Sequence, residues 1–448
     1  MDPLRVAVIG VGHVGLVTCV TLAKLGHSIV GCDSDEERIE QLRRGRSPFH
    51  EPMMQELLEE TVRSGRLDFT TATPEAVAAA DVIFICVGTP ARASGEANLM
   101  AVEAVTRIVG RHARSDAVIV EKSTVPAGTS ERIRRTLELD RSDRAADMHV
   151  VSNPEFLREG RAIQDSLKPD RILIGSSGGR ASSVMRRLYA PLIDRGHQLI
   201  EVDIATAELA KHACNAYLAL KISYANALAR ICENAGADVV AVAEVMGSDP
   251  RIGRAFLNAG LGYGGYCFPK DLVAFQKLAE RCGTPFPLLR EVARINAGAI
   301  DAAASKIREA LWNIEGKTIA LWGLSFKPNT DDVRFSPALT LAKKLLKEGA
   351  AIVGYDPEAA GPAKAELPEL ELAPDALAAV TGAHCLVVCT EWDEFKAVDL
   401  EAVRSLMRYP IVVDARNVFD PETMCNTGFT YYPTGRPASV QRSKILSA

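Results

Sequence analysis

The sequence predicts an α/β protein in which two doubly wound parallel-sheet domains are joined by a central helical segment. Three observations support this prediction. Short β-branched runs alternate with helical patterns up to about residue 200. A long run of helix formers without proline follows from residue 204, and a second alternating region opens near residue 315. Near-continuous apolar strands separated by helices are typical of parallel sheets that are covered on both faces.

The elements follow in order along the chain. In the first region we predict strands at 5–12, 28–33, 81–87, 116–123, 149–154 and 171–177. The helices between them are predicted at 14–25, 35–44, 52–63, 74–79, 98–113, 128–139 and 180–194. The second region has predicted strands at 318–323, 351–355, 384–390 and 410–414. The stretches "SIVGCDSD" and "AIVGYDPE" echo each other, since each is a strand that ends in an aspartate.

These patterns predict the domain organisation. A chain of 448 residues exceeds the size at which a single core stops growing. We predict a first α/β domain at 1–200, a helical dimerisation domain at 201–300 and a second α/β domain at 315–435. The polar, unpatterned segment 436–448 is predicted to be a flexible tail.

Composition narrows the class of function. The net charge is −5 and no basic block stands out, so neither a nucleic acid nor a membrane surface is predicted as a partner. The ten cysteines form no C-x-x-C pair, which favours reduced thiols over a disulfide framework or a metal site. The N-terminus resembles a strand and turn, no stretch is long enough to span a bilayer, and a cytoplasmic location is expected.

The stretch "VAVIGVGHVG" predicts a dinucleotide site and a Rossmann-like first domain. Its glycines follow a strand and open a helix in a G-x-G-x-x-G pattern, and Asp33 ends the next strand. The predicted contacts of the turn are Gly10, Gly12, Val14 and Gly15. A carboxylate at Asp33 accepts hydrogen bonds from a ribose diol and repels a 2′-phosphate, so NAD is favoured over NADP. Arg38 either shifts that preference or stacks on the adenine edge.

The stretch "LGYGGYCFPKD" (261–271) places a thiol directly after three glycines. Pro269 suits a first helical position and Asp271 falls in the first turn, so Cys267 lies at a predicted helix N-terminus. The helix dipole and free N–H groups there favour a thiolate. We interpret Cys267 as a nucleophile and the glycines as space for a bulky ligand; the alternative is a buried structural cysteine.

Candidate partners for this thiol occur elsewhere in the chain. Lys211 and Asn215 are four residues apart on one helical face. Glu155 and Glu159 follow a predicted strand end, where the ligand sites of α/β sheets gather. Thr124 comes just before a proline turn. Each of these residues taken alone is more often a solvated surface group than a catalyst.

The ordered motifs resemble one known family. They are "VIGVGHVGL", "CVGTP", "KSTVPAGT", "NPEFLREG", "AELAKHACNAY", "GYGGYCFPKD", "LSFKPNTDDVRFSP" and "DARNVFD". Together they resemble the UDP-glucose/GDP-mannose dehydrogenase family from Val6 to about Asp420, most closely the members that oxidise UDP-glucose at carbon 6.

The resemblance implies a four-electron oxidation of a primary alcohol to a carboxylate with two NAD⁺. Cys267 would capture the aldehyde as a thiohemiacetal, and a thioester would then be hydrolysed. Lys211 matches the lysine that stabilises the developing oxyanion, and Asn215 shares that task. Glu155 and Asp271 match the residues that handle protons and the hydrolytic water, which Thr124 positions; which carboxylate is the base in each step stays open.

The resemblance also implies two sets of contacts and an assembly. Implied cofactor contacts are Asp33, Arg38, Thr89, Thr124, Glu159, Lys270 and Arg334. Implied contacts of the nucleotide sugar are Glu155, Phe156, Leu157, Arg158, Glu159, Lys211, Asn215, Arg251, Phe256, Leu257, Asn258, Ala259, Gly260, Gly262, Lys327 and Arg416. Either Arg251 or Arg416 would reach from a neighbouring subunit. The second α/β domain, which lacks the full glycine pattern, would bind UDP, and the helix near 204–238 would carry the interface of a homodimer or larger assembly.

Alternatives differ in substrate or in chemistry. "GYGGYCFPKD" resembles the UDP-glucose branch, whereas enzymes for GDP-mannose keep the same lysine and UDP-N-acetylhexosamine enzymes tend to replace it. Asn258 stands where some relatives carry lysine. A two-electron dehydrogenase that stops at the aldehyde or ketone is a second hypothesis. A non-catalytic dinucleotide-binding regulator is a third, and the presence of both Cys267 and Lys211 argues against it.

Overall fold

The computed structural model describes residues 2–90, 92, 94–140 and 148–438. The chain divides into two compact units. The first comprises Met1–Cys214 and Val273–Thr284, and the second comprises Asn215–Leu272 and Pro285–Ala448.

The first unit is built on a mostly parallel sheet. Its strands are β1 (Arg5–Ile9), β2 (Ser28–Cys32), β3 (Leu67–Thr70), β4 (Val82–Ile85), β5 (Val118–Glu121), β6 (His149–Ser152), β7 (Ile172–Gly175) and β8 (Leu199–Val202). Its helices are α1 (His13–Lys24), α2 (Glu36–Arg43), α3 (Met54–Arg63), α4 (Thr73–Ala79), α5 (Met100–His112), α6 (Thr129–Asp140), α7 (Ala162–Leu167) and α8 (Gly179–Ile193). Within the described residues the order is β3-β2-β1-β4-β5-β6-β7-β8, and only β6 and β7 pair antiparallel.

Successive side chains of β1 bury on opposite faces of this sheet. Val6 and Val8 join a core with helices α1, α3 and α8, whereas Ala7 and Ile9 join a second core with α4, α5 and α6. A strand points alternate residues to opposite faces, so an uninterrupted apolar run requires cover on both. The prediction of a doubly wound sheet is confirmed.

Helices connect the two sheets along the chain. They are α9 (Ile204–Ala235), α10 (Val239–Gly247), α11 (Cys267–Arg281) and α12 (Pro287–Leu311). The division between units falls inside α9, after Cys214, and inside α11, after Leu272. The boundaries predicted for a separate central domain remain a prediction.

The second unit repeats the plan of the first. Its strands are β9 (Thr318–Trp322), β10 (Ala351–Tyr355), β11 (Glu371–Leu372), β12 (Cys385–Val388), β13 (Ile411–Asp414) and β14 (Thr430–Pro433). Its remaining helices are α13 (Pro337–Lys347), α14 (Ala360–Glu366), α15 (Ala376–Val380), α16 (Asp393–Lys396), α17 (Leu400–Leu406) and α18 (Pro421–Thr427). The described strands pair in the order β11-β10-β9-β12-β13-β14, which matches the order of the first six strands of the first sheet.

The sequence analysis does not predict four of the described strands. They are β3, β8, β11 and β14, and each lies at or close to the edge of its sheet. Edge strands are short and partly polar, so they lack the continuous apolar run of a central strand. The predicted tail, 436–448, lies outside the described residues from position 439 onward.

Candidate functional site

The dinucleotide turn follows β1 in the first unit. Gly10 has a φ of +91°, and its N–H donates to the carbonyl of Cys32 at 2.8 Å. A Cβ on Gly15 would lie 1.8 Å from the Gly10 carbonyl oxygen, so only glycine fits there. A Cβ on Gly12 would meet no described atom within 4 Å. The free space at Gly12 and the N-terminus of α1 together fit a pyrophosphate.

Asp33 is fixed beside this turn at the end of β2. Its Oδ2 accepts from the backbone N–H of Val11 at 3.0 Å and from Arg38 Nη1 at 3.3 Å. Arg38 also approaches the carboxylate of Asp35 at 3.4 Å. Two carboxylates around one guanidinium leave this edge negative, which suits a ribose diol and disfavours a 2′-phosphate.

Two glycine substitutions distinguish an effect on NAD⁺ binding from an effect on the stability of the fold. Gly12 has a φ of −71°, which alanine adopts without strain. We expect Gly12→Ala to keep the apoenzyme's melting temperature within about 2 °C while weakening NAD⁺ binding about tenfold or more, because the methyl group fills the space of the pyrophosphate. Gly15→Ala is the matched control and should lower the melting temperature strongly. Thermal unfolding and calorimetric titration with NAD⁺ check both, and unchanged affinity in Gly12→Ala would contradict the assignment.

The loop that carries Thr124 is held by the first unit's part of α9. Thr89 Oγ1 donates to the Thr124 carbonyl at 2.9 Å. The Glu208 carboxylate accepts from the backbone N–H groups of Gly128 at 2.6 Å and Ser130 at 2.8 Å, at the start of α6. The neighbouring carboxyl of Glu121 is fully buried, and burial raises its pKa to about 8. Glu208 was not predicted, although it lies on the helix that carries Lys211.

Glu155 and Lys211 form a buried ion pair. Lys211 Nζ lies 3.0 Å from Glu155 Oε1, and the two side chains are 4% and 7% exposed. The other carboxylate oxygen of Glu155 accepts from the Leu157 N–H at 2.9 Å. Lys211 Nζ also lies 5.2 Å from the centre of the Phe156 ring. Glu155 and Lys211 lie 56 positions apart in the chain, so the sequence motifs do not reveal that the two side chains pair.

A second buried carboxylate, Glu51, was missed entirely. Its two oxygens accept from the backbone N–H groups of Gly160 and Ala162, each at 2.7 Å. His13 Nε2, on the dinucleotide turn, lies 3.3 Å from the same carboxylate. Glu51 therefore connects the turn to the end of the 153–160 loop. A single Glu before a proline carries no recognisable signal in the sequence.

In the second unit, Cys267 is the first residue of α11 and its side chain is exposed. Asp271, fully buried one turn later, accepts from Asn215 Nδ2 at 2.6 Å and from Lys270 Nζ at 2.7 Å. Both oxygens of this carboxylate are therefore occupied. The structure brings Asn215, Lys270 and Asp271 together beside the start of α11.

The glycines before Cys267 have a different role from the one expected. A Cβ on Gly264 would lie 2.5 Å from the Phe335 carbonyl oxygen, and one on Gly265 would lie 2.8 Å from the Phe326 ring. The Gly265 N–H donates to the Arg334 carbonyl at 3.0 Å. Close packing against the protein, rather than space for a ligand, explains glycine at these two positions.

The remaining predicted sugar-nucleotide residues of the second unit lie around the same stretch. Gly260 N–H donates to Asn226 Oδ1 at 2.7 Å, and Arg416 Nη2 donates to the Gly262 carbonyl at 3.3 Å. Arg251 is 88% exposed and pairs with Asp249. The second unit holds Asn215, Arg251, Phe256, Leu257, Asn258, Ala259, Gly260, Gly262, Cys267, Lys270, Asp271, Lys327, Arg334 and Arg416. The first unit holds Gly10, Gly12, Val14, Gly15, Asp33, Arg38, Thr89, Thr124, Glu155, Phe156, Leu157, Arg158, Glu159 and Lys211.

Asp356 is the counterpart of Asp33 in the second sheet, but its carboxylate is used by hydrogen bonds within its own unit. Its Oδ2 accepts from the N–H groups of Leu324 at 2.7 Å and Ser325 at 3.0 Å, and from the Ser325 hydroxyl at 2.9 Å. The residue is 2% exposed. A carboxylate saturated in this way has no capacity left for a ribose, so the second sheet lacks the available carboxylate of a dinucleotide site.

Comparison with known proteins agrees with the folds of both units. Three family models match in order: the NAD binding domain at residues 4–193, the central domain at 205–298 and the UDP binding domain at 320–421, all of the UDP-glucose/GDP-mannose dehydrogenase family. The chain belongs to this family. It is an NAD-dependent enzyme, and the turn at Gly10–Gly15 and Asp33 fit that cofactor.

Individual relatives match over nearly the whole chain. A UDP-glucose 6-dehydrogenase of Rhizobium meliloti (strain 1021) is 44% identical, with 97% of this chain and 100% of the relative covered. One of Bacillus subtilis (strain 168) is 41% identical, covering 97% and 94%. The solved UDP-glucose dehydrogenase of Pyrobaculum islandicum is 37% identical, superposes with a TM-score of 0.90 and covers 98% of each chain.

Three further findings bear on function. None of the helices in the described ranges has the length and apolar character needed to cross a membrane. The ten cysteines are all free thiols. In the part of the chain that the structure describes, no three His, Cys, Asp or Glu side chains are grouped as metal ligands.

Proposed function

We propose that this enzyme is a UDP-glucose 6-dehydrogenase, which oxidises UDP-glucose to UDP-glucuronate with two NAD⁺. One observation carries the proposal: an exposed Cys267 opens α11, one turn before a buried Asp271 that Asn215 and Lys270 hold in place. The names of relatives at 44% and 41% identity support UDP-glucose as the substrate.

The proposed chemistry assigns a role to each residue. When bound, NAD⁺ supplies the oxidising capacity for both oxidation steps. The Cys267 thiolate attacks the aldehyde carbon to give a thiohemiacetal, and the thioester formed from it is cleaved by water. The Lys211 ammonium and the Asn215 amide stabilise negative charge on the substrate oxygen. Glu155 and Asp271 accept protons, and Thr124 orients the hydrolytic water.

Binding is proposed to divide between the two sheets. Asp33, Arg38, Thr89 and Glu159 hold the cofactor, together with Lys270 and Arg334. The second sheet holds UDP, and the commitment of Asp356 to backbone N–H groups supports a ligand other than a dinucleotide there.

A homodimer or larger assembly is proposed through α9. In the second unit, Tyr217, Tyr224 and Ile231 are 61%, 49% and 61% exposed, and their spacing of seven places them along one helical stripe. A second copy of the chain would cover such a stripe. Arg251, which is 88% exposed, suits the role of an arginine that reaches a neighbouring subunit better than Arg416, whose guanidinium bonds within its own unit.

The cytoplasm is the proposed location, since cysteines that form no disulfide suit a reducing compartment. There the UDP-glucuronate would supply polysaccharide biosynthesis, which consumes activated uronic acids.

A count of NADH per sugar tests this function. We expect two equivalents of NADH per UDP-glucose consumed, and much lower rates with UDP-galactose, GDP-mannose and UDP-N-acetylhexosamines. One equivalent would instead indicate a two-electron dehydrogenase. If GDP-mannose or a UDP-N-acetylhexosamine were the preferred substrate, the proposed reaction would stand and the proposed substrate would be wrong.

A further inference from the structure

A half-buried lysine in the first unit, Lys122, has no role in the chemistry described so far. Lys122 follows β5 directly, and its Nζ donates to the amide oxygen Asn153 Oδ1 at 3.1 Å. That oxygen also accepts from the Tyr189 hydroxyl at 2.6 Å, while Asn153 Nδ2 donates to the Leu173 carbonyl at 2.7 Å. In the described ranges, no carboxylate forms an ion pair with Lys122. Withdrawal of a cation from water is ordinarily offset by a counter-charge, whereas the hydrogen-bond acceptor of Lys122 is a neutral amide.

Lys122 opens onto a cavity that also reaches the buried ion pair. The cavity has a volume of about 100 Å³, and Lys122, Asn153, Glu155 and Tyr189 line it. Thr21 contributes to the wall, and the lining ends at residues with exposed side chains such as Arg158 and Asp170. The space is large enough for several water molecules, and the polar groups of Lys122, Asn153 and Tyr189 can hydrogen-bond to them. Glu155, the partner of Lys211, is therefore connected to solvent through a compartment that contains a second amine.

Lys122 titrates closer to physiological pH than a solvated lysine. Burial lowers the pKa of its ammonium to about 8; the Glu155 carboxylate raises it, and Lys211 lowers it. Nearby Cys86 is buried, which raises the pKa of its thiol to about 12, so the thiol stays neutral. An amine that titrates near pH 8 can take up and release a proton within each catalytic cycle.

The proposed reaction needs such a group. Oxidation of R–CH₂OH by two NAD⁺ and one water gives R–COO⁻, two NADH and three protons, and these protons must leave a pair of side chains that is more than nine-tenths buried. We propose that Lys122 and the water-accessible cavity around it carry protons from the Glu155–Lys211 pair to solvent. The Lys122 amine accepts a proton delivered from Glu155 through cavity water, and the ammonium releases it at the mouth. Only N–H and O–H bonds form and break, and Lys122 acts through Glu155 rather than on the substrate. This inference rests on the proposed function.

Three variants test the relay. Lys122→Arg keeps the positive charge but cannot release its proton, so we expect kcat at pH 7.5 to fall about tenfold to a hundredfold. We expect the wild-type rate to rise through about pH 8, and Lys122→Arg should lose that rise. Lys122→Ala should lose as much and recover in part when methylamine is added, because the cavity admits a small amine. Thr21→Val is the matched control in the same wall and should keep both kcat and the pH profile.

A measurement on the enzyme without substrates keeps this test independent of activity. Acetic anhydride labelling of Lys122, followed by mass spectrometry across pH, should give a midpoint near 8, well below the value of about 10.4 for a solvated lysine. A midpoint above 10, full activity in Lys122→Arg, or no recovery of Lys122→Ala with methylamine would overturn the relay. Absence of NADH formation by the wild-type enzyme would overturn the proposed function instead, and the labelling result would still stand.

Discussion

Replacing Cys267 by serine should abolish acid formation while both ligands still bind. A serine hydroxyl is a far weaker nucleophile than a thiolate at neutral pH, so the covalent intermediate no longer accumulates. Loss of a nucleophile of this kind costs on the order of 10³–10⁶-fold in turnover. We expect calorimetric titration to give affinities for NAD⁺ and UDP-glucose within about threefold of the wild-type values, because serine is nearly isosteric with cysteine and preserves the contact area of the side chain.

The chain offers a matched control for this substitution. Cys282 is also exposed and lies directly after the last residue of α11, whereas Cys267 opens that helix. Cys282→Ser should retain full turnover. Chromatographic measurement of UDP-glucuronate distinguishes the two variants. Acid formation by Cys267→Ser at the wild-type rate would refute the covalent mechanism. Loss of activity in Cys282→Ser would show that replacing an exposed cysteine of this helix region lowers activity whether or not the cysteine is the nucleophile.

Removal of the Lys211 ammonium should have the second largest effect. A preorganised donor to a developing oxyanion is worth about 10²–10³ in kcat. Lys211→Met should therefore lower kcat by about that factor. It also leaves the 7%-exposed Glu155 carboxylate without its partner, and a buried pair broken on one side costs about 3–5 kcal/mol of stability. A lowered melting temperature should accompany the loss of turnover.

A double variant separates these two consequences. Lys211→Met combined with Glu155→Gln removes both charges, so it should recover most of the lost stability, whereas its turnover should stay at the level of the single variant or below. Thermal unfolding and NADH release measure the two properties side by side. Recovery of turnover together with stability would mean that Lys211 contributes only to the fold.

The sequence predicts the elements that depend on local chemistry. The turn at Gly10–Gly15 is recognisable because a strand, three glycines and a helix follow one another within a few residues. Pro269 and Asp271 predict a helix N-terminus beside Cys267, and α11 begins at Cys267, two residues before the predicted first helical position. The echo between "SIVGCDSD" and "AIVGYDPE" predicted two related halves, and both sheets share one strand order.

Tertiary structure decided what depends on distant residues. Glu155 meets Lys211, and Glu51 meets His13, only because the fold brings these distant segments together. The contacts of Lys122 likewise depend on Asn153, which follows β6, and on Tyr189 of α8. The glycines at 264 and 265 are required by Phe335 and Phe326, more than sixty residues away. A sequence motif records which residue types are needed, whereas desolvation and charge pairing arise only once the chain has folded.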